Sequence, residues 1–326
     1  MTDLTIRNPG APRATAIRNW SLRIGGTVLF IALLVYLDLR GDLPLEGIFR
    51  ALGEANLLLV GLSIALYVVF LGVKAARWRL VAGDMGMPLT WGQAWRIYAI
   101  GLAAGTFTPG QAGDALKAWY LQRIGYGLGR ALGSSLLDRL FDVAALAVLG
   151  LLGVAVYGGI FVGQVPALVG LALLCVGMAA FFAYNRTRQW AVNLVARRLA
   201  RTRGQGSGAG DQSAEWSLRS TTVTYVALLT VASFTVSIFR VWLLAAGLGV
   251  WLGPLEVSGY VGLTTAAALV PVTVGGIGTR DVVSVLVLRQ LGYPPEVGVA
   301  LSILILALNL AQAIAGWLVW LRYRTE

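Results

Sequence analysis

Along the chain, apolar runs long enough to cross a bilayer alternate with short polar segments rich in arginine. A hydrocarbon layer about 30 Å thick takes about 20 helical residues, and the every-second-residue alternation of a membrane strand is missing from these runs. Six runs predict full spans: Leu22 to Leu37, Leu57 to Val73, Ala131 to Tyr157, Pro166 to Tyr184, Thr222 to Leu244 and Val297 to Leu321. Two other apolar stretches are interrupted. One leads from Trp91 into Thr108-Pro109-Gly110-Gln111-Ala112-Gly113-Asp114, followed by Lys117. The other leads from Leu255 into Pro271-Val272-Thr273-Val274-Gly275-Gly276-Ile277-Gly278-Thr279-Arg280-Asp281. Proline removes a backbone donor and glycine removes steric guidance, so both break helices. Broken helix at membrane depth is tolerated only under protein cover or beside a wet cavity.

Basic residues mark the cytoplasmic ends of spans. Arg13, Arg18 and Arg23 precede the first run, and Lys74, Arg77 and Arg79 close the second; the segment between them, with Asp42, Glu46 and Glu54 against Arg40 and Arg50, is slightly acidic. This bias is satisfied if the interrupted stretches, near 92–124 and 255–291, are re-entrant helical hairpins, the first entering from inside and the second from outside. The expected fold is an all-α polytopic membrane protein with about six full spans plus two re-entrant hairpins in an inverted repeat, N-in/C-in. It forms one transmembrane domain over 1–326, with a first half 1–200, a flexible basic cytoplasmic linker 201–220 and a second half 221–326. Gly113…Gly125-Tyr126…Ala131…Ser134 parallels Gly278…Gly292-Tyr293…Ala300…Ser302, the kind of internal correspondence that points to a transporter's binding site. Between the halves, Arg186, Arg188, Arg197, Arg198, Arg201, Arg203 and Arg219 oppose only Asp211 and Glu215, a loop suited to anionic lipid heads. The first run reads as a retained helix, not a removed signal.

Composition agrees with the membrane class: 57% hydrophobic residues and 13% charged, with a mean hydropathy of +0.75. The formal charge of +11 raises nucleic acid as a partner, but the basic residues cluster between apolar spans, which assigns them to cytoplasmic loops instead. Cys175 is the one cysteine, so no intramolecular disulfide forms, and the chain has no histidine. That excludes histidine proton relays, histidine-ligated metals and Ser-His-Asp catalysis. Nucleotide loops, metal clusters and nucleophile–base pairs are not visible, so catalytic residues, metal and cofactors are all read as none.

The remaining chemistry is charge placed in or beside apolar helix, which is expensive. Asp138, Arg139 and Asp142 follow the start of a span; the two carboxylates are four apart and share a face, with Arg139 able to pair with a neighbouring acid. Asp114 and Lys117 follow the first break, and Arg280 and Asp281 hold the equivalent place after the second. Helix N-termini created by such breaks favour anions. Arg77 and Arg79 flank Trp78 in the manner of interface anchors, with a lipid-head contact as a second reading for Arg77. Arg240 is ambiguous in the same way, and Asn309 and Gln312 read as interhelical glue. For all these charges, ion clusters that hold helices together stand beside a polar pathway.

Taken in order, Thr108 to Lys117, then Asp138-Arg139-Leu140, then Gly275 to Asp281 resemble the transmembrane domain of bacterial lysylphosphatidylglycerol synthase/flippase proteins and their stand-alone relatives, over about residues 20 to 322. Lys117 stands where that family has Arg, Asp138 where Glu is common, and Asp281 where Glu is usual; charge is kept and reach is altered. The synthase domain of the fused relatives has no counterpart in this chain. The resemblance implies a non-enzymatic lipid flippase of the bacterial inner membrane, moving an anionic, aminoacylated or lipid-linked head group between leaflets. Lys117, Arg139 and Arg280 would attract a phosphate, with Arg77 as a further contact, while Asp114, Asp138, Asp142 and Asp281 balance charge or meet a cationic head. Expected partners are membrane lipids and a separate lipid-modifying enzyme. Two other classes stay open: an intramembrane enzyme acting on a lipid phosphate, and a non-transporting partner of an envelope-lipid enzyme.

Overall fold

The computed structural model describes Ala32 and residues 44–107, 113–158, 218–269 and 278–323. Nine helices lie among the described residues: α1 (Leu45–Gly53), α2 (Leu57–Asp84), α3 (Trp91–Phe107), α4 (Gly113–Arg123), α5 (Leu128–Tyr157), α6 (Ser220–Gly247), α7 (Pro254–Leu269), α8 (Thr279–Gln290) and α9 (Pro295–Tyr323). Of these, α2, α5, α6 and α9 are long and apolar enough to cross a membrane, which makes this a multi-pass membrane protein. Large apolar side chains such as Leu58, Val68, Val231 and Leu318 face outward on them, as a lipid environment allows.

The expected six full spans plus two re-entrant hairpins in an inverted repeat, with both termini inside, is therefore corrected to four spanning helices among the described residues. The runs Leu22 to Leu37 and Pro166 to Tyr184 lie outside the described residues, Ala32 excepted, as does the basic loop up to residue 217. So do the breaks Pro109, Gly110, Pro271, Gly275 and Gly276; Gly113 and Gly278 are described. The interrupted stretches form two pairs of shorter helices, 17 and 11 residues in α3 and α4, 16 and 12 in α7 and α8. The physical error lies at Lys74 to Arg79. These cations look like a cytoplasmic span end, yet α2 continues through them to Asp84, and Lys74 and Arg77 are buried inside the protein. Cations neutralised in the interior say nothing about the side of the membrane, so the charge argument for the number of crossings loses its support.

Asn56 caps α2, its Oδ1 accepting from the amides of Leu58 and Leu59 at 3.0 and 3.3 Å. At Leu66 a one-residue turn interrupts the helix, but the ladder passes through, from Leu66 N to Leu62 O and from Phe70 N to Leu66 O, both 3.0 Å. Helices α2 and α6 pack side by side and antiparallel: Asn56 N donates to Gly247 O at 2.8 Å at one end, and Arg219 N to the Asp84 carboxylate at 2.8 Å at the other. Around this pair a long helix packs on a shorter one twice, α5 on α7 and α9 on α3. Two large apolar cores result, with a smaller cluster at Ile48, Val299 and Ala300. Leu71, Trp78, Val81, Tyr98, Leu121 and Leu137 centre one, and Tyr157, Leu244, Tyr260, Leu288 and Leu301 the other.

Small residues let the backbones meet at these crossings, the usual basis of helix association in lipid. A Cβ on Gly153 would stand 2.6 Å from Gly259 O, and one on Gly316 would stand 2.5 Å from Ala99 O and 2.6 Å from Ala103 Cβ. Helix propensity favours alanine over glycine by about 1 kcal/mol, whereas overpacking costs about 1–3 kcal/mol. Gly316→Ala is therefore expected to lower the thermal midpoint of the detergent-solubilised protein in spite of the propensity gain. A raised midpoint would show that α3 and α9 separate easily.

Candidate functional site

Lys74 and Arg77 are three apart on α2, and Asp138 and Asp142 are four apart on α5, so each pair shares a helix face. The two helices pack together and bring the pairs into contact. Arg77 Nε donates to Asp138 Oδ1 at 2.8 Å, and Nη2 stands 2.6 Å from the same oxygen. Nη1 donates to Asp142 Oδ1 at 2.6 Å and to Thr230 Oγ1 of α6 at 3.1 Å, and Nη2 also donates to the Asp138 carbonyl at 3.1 Å. One planar guanidinium thus holds two carboxylates and a third helix, a task that suits its rigid fork of donors. Lys74 Nζ adds a second donor to Asp142 Oδ1 at 2.5 Å. The side chains of Arg77 and Asp138 are 0% and 1% exposed; Asp142, at 17%, is the more accessible acid.

The second oxygen of Asp138 faces the other way. It accepts from Tyr98 OH of α3 at 3.0 Å and from Lys117 Nζ of α4 at 3.3 Å. Lys117 reaches it because glycines let α4 lie directly on α3: a Cβ on Gly113 would collide with the Gly101 carbonyl oxygen, and one on Gly101 would stand 2.7 Å from Lys117 Cγ. Aromatic faces surround both ammonium groups. Lys117 Nζ is 4.4 Å from the Tyr98 ring centre and 5.4 Å from that of Trp78, and Lys74 Nζ is 5.2 Å from Phe234 and 5.5 Å from Phe70. The Trp78 indole N–H is buried with no hydrogen-bond partner among the described residues. Among the described residues, the ion pairs here join three cations, Lys74, Arg77 and Lys117, to two carboxylates, Asp138 and Asp142.

A second polar group is built on α7, α8 and α9. Gly278 adopts a φ of 103°, open to glycine, and its N–H donates to Asp281 Oδ2 at 2.7 Å, so Asp281 caps α8. Arg280 Nε donates to Ser302 Oγ at 2.9 Å and Nη2 to the Ser302 carbonyl at 3.1 Å; the Ser302 hydroxyl in turn donates to Asp281 Oδ1. Beside them, Tyr260 OH and Ser284 Oγ are 2.7 Å apart, and Ser284 donates to the Gly298 carbonyl at 2.7 Å.

Of the residues singled out by sequence, Arg77, Lys117, Asp138 and Asp142 meet in one cluster, while Arg280 and Asp281 sit in the α8–α9 group. Arg139 is half-buried on α5, and the Asp114 side chain lies outside the described residues. Lys117 pairs with Asp138. Arg77 is an interior clasp and not an interface anchor. Sequence reasoning missed Lys74, Tyr98 and Thr230. For Lys74 the signal was present: two cations at one helical spacing match two carboxylates at another. Among the described residues no group of three or more histidine, cysteine, aspartate or glutamate side chains could hold a metal ion.

Residues 23–316, most of the chain and all of both polar groups, match the family described as the lysylphosphatidylglycerol synthase TM region. The chain belongs to that family. Membership of this lysylphosphatidylglycerol synthase TM-region family agrees with the expected relationship and, since the match is to a membrane region, with a chain that is not an enzyme. Over 305 residues the chain is 22% identical to a UPF0104 membrane protein of Methanocaldococcus jannaschii, an alignment that covers 85% of this chain and 88% of that protein.

Proposed function

We propose that this member of the family carries a lipid with an anionic, phosphate-bearing head group between the leaflets of the bacterial inner membrane, and that the α2–α5 cluster is where the head group is held. The observation that carries the reading is the gathering of three cations in one largely buried polar cluster. Lys74, Arg77 and Lys117 converge on Asp138 and Asp142, and the buried Trp78 N–H, without a hydrogen-bond partner among the described residues, offers one donor more. Burying ion pairs is costly and rarely a gain over apolar packing, so a cluster spanning five helices is weak evidence for stability and better evidence for a polar ligand. A phosphate accepts from lysine and arginine with charge-assisted hydrogen bonds. Lys117 is the candidate first contact, because its ammonium holds Asp138 at 3.3 Å, the longest of the ion pairs to that acid. An aminoacylated head would bring its own ammonium to Asp142, the more exposed carboxylate.

The test is reconstitution into liposomes that contain acyl-labelled phosphatidylglycerol, with a quencher added outside. Inner-leaflet label is expected to become accessible faster than in protein-free vesicles, and labelled phosphatidylcholine is expected to move more slowly. Loss of one charged hydrogen bond, about 1.5–3 kcal/mol, corresponds to roughly 10- to 100-fold; Lys117→Met should slow transfer by that much and leave the protein folded. Transfer equal to protein-free vesicles would overturn the reading.

A further inference from the structure

Arg77 and Arg240 occupy matching places on the antiparallel pair: Arg77 is as far along α2 from Leu57 as Arg240 is along α6 from Ser220. Their surroundings match as well. Arg77 reaches across the seam to Thr230, and Arg240 lies 5.6 Å from the ring centre of Tyr67, the residue at the corresponding depth of α2. On the next long helix the correspondence fails. Where α5 carries Asp138 and Asp142, the same places on α9 hold Ile305 and Asn309. The second half keeps the cation and lacks the acids.

Arg240 is only 3% exposed. Its Nε donates to the Ser63 carbonyl at 2.9 Å, Phe70 lies 5.5 Å away, and Gln312, its carboxamide oxygen turned inward, accepts from Nη2 at 3.1 Å and Nη1 at 3.3 Å. No carboxylate lies within ion-pair distance of it among the described residues. Dipoles and ring faces lower the penalty of burying a guanidinium but leave its charge unbalanced. Beside it the Tyr67 hydroxyl, on a residue 7% exposed, has no hydrogen-bond partner among the described residues. Interhelical glue accounts for Ser63 and Gln312; it does not account for a stranded hydroxyl next to an uncompensated cation. An oxyanion accounts for both, since it accepts from the hydroxyl and from the guanidinium at once.

We propose that Arg240, Tyr67 and Gln312 form a second anion site, for a phosphate-type oxyanion, near the opposite end of the α2–α6 seam from Arg77. Arg240 binds the carbonyl of Ser63, fourteen residues before Arg77 on α2, which at a rise of about 1.5 Å per residue sets the two basic centres roughly 20 Å apart along the helix. Lys74 stands between them: it and Arg240 lie against the same Phe70 ring. A head group held at Arg77 and Lys117 would thus have a receiving station near the other face. That role rests on the transport reading; the binding of an oxyanion does not.

Binding is therefore the test, on the purified full-length protein in neutral detergent, titrated with inorganic phosphate in one arm and with phosphatidylglycerol micelles in the other, with phosphatidylcholine as control. Tyr67→Phe keeps the ring against the guanidinium and removes only the hydroxyl, so it should fold as the parent does; it is expected to weaken one anion-binding component about tenfold. Arg240→Gln is expected to abolish that component, and Lys117→Met to leave it in place. A response to phosphate alone identifies a free oxyanion as ligand, and a response confined to phosphatidylglycerol identifies the lipid. Equal binding by the parent and Tyr67→Phe, or no response to either ligand, overturns the site. Tyr67-dependent binding in a protein that moves no lipid would keep the site and remove the transport reading, while transport without such binding would do the reverse.

Discussion

Replacing Arg77 with methionine is expected to destabilise the folded protein by about 3–5 kcal/mol, the range for removing one partner of a buried ion pair. Methionine fills much of the space, so the loss is electrostatic. Asp138 would keep Lys117 and Tyr98, and Asp142 would keep Lys74, but the group that touches both carboxylates and Thr230 would be gone. A lysine at the same place is a point charge and reaches one acid at a time, so Arg77→Lys should recover less than half of the loss. The measurement is the unfolding midpoint in detergent, and a double-mutant cycle with Asp142→Asn isolates the pair from its surroundings. Neutralising Asp142 in the methionine background should restore part of the stability. A single variant within about 1 kcal/mol of the parent would mean that lipid or water reaches the carboxylates and screens them, contrary to the burial described.

Gly113→Val is expected to be nearly as damaging, at the upper end of the overpacking range of about 1–3 kcal/mol. The new Cβ would run into the Gly101 carbonyl oxygen and stand 2.5 Å from the Gly105 amide nitrogen. Both obstacles are backbone, so nothing rotates away, and α4 has to retreat from α3. Lys117 lies one turn farther along α4 and would be drawn off Asp138. Stability and lipid transfer should therefore fall together. Gly83→Ala is the control: a Cβ there meets nothing within 4 Å, so the midpoint should hold or rise slightly with the gain in helix propensity. A valine at 113 that leaves transfer intact would dissociate the α3–α4 contact from the position of Lys117.

Much of the helix pattern could be read from the sequence, and the failures have physical causes. The predicted spans Ala131 to Tyr157, Thr222 to Leu244 and Val297 to Leu321 match α5, α6 and α9 to within a few residues, because unbroken apolar runs leave no other choice in lipid. The interrupted stretches hold pairs of shorter helices, α3 with α4 and α7 with α8. The second span was cut short at Val73. Lys74 and Arg77 looked like departures from hydrocarbon, and only the carboxylates on α5 make their burial tolerable; a window sliding along one helix cannot see a partner on another. The same blindness hid Tyr98 and Thr230 and left Arg139 as a candidate to pair with a neighbouring acid. Asp281 was legible as a charge after a glycine break, but not as the cap of α8 that its contact with the Gly278 N–H makes it. Arg240 stayed ambiguous for a different reason: its meaning lies in what α9 lacks, and an absence shows only after α2 with α5 and α6 with α9 have been set side by side.

The ties at both ends of α2 and α6, from Asn56 to Gly247 and from Asp84 to Arg219, have a mechanical consequence. A beam pinned to its neighbour at each tip can flex in the middle but cannot splay. Any rearrangement that spares those two ties must bow the pair near Leu66 or swing the shorter helices about it like shutters on a fixed post.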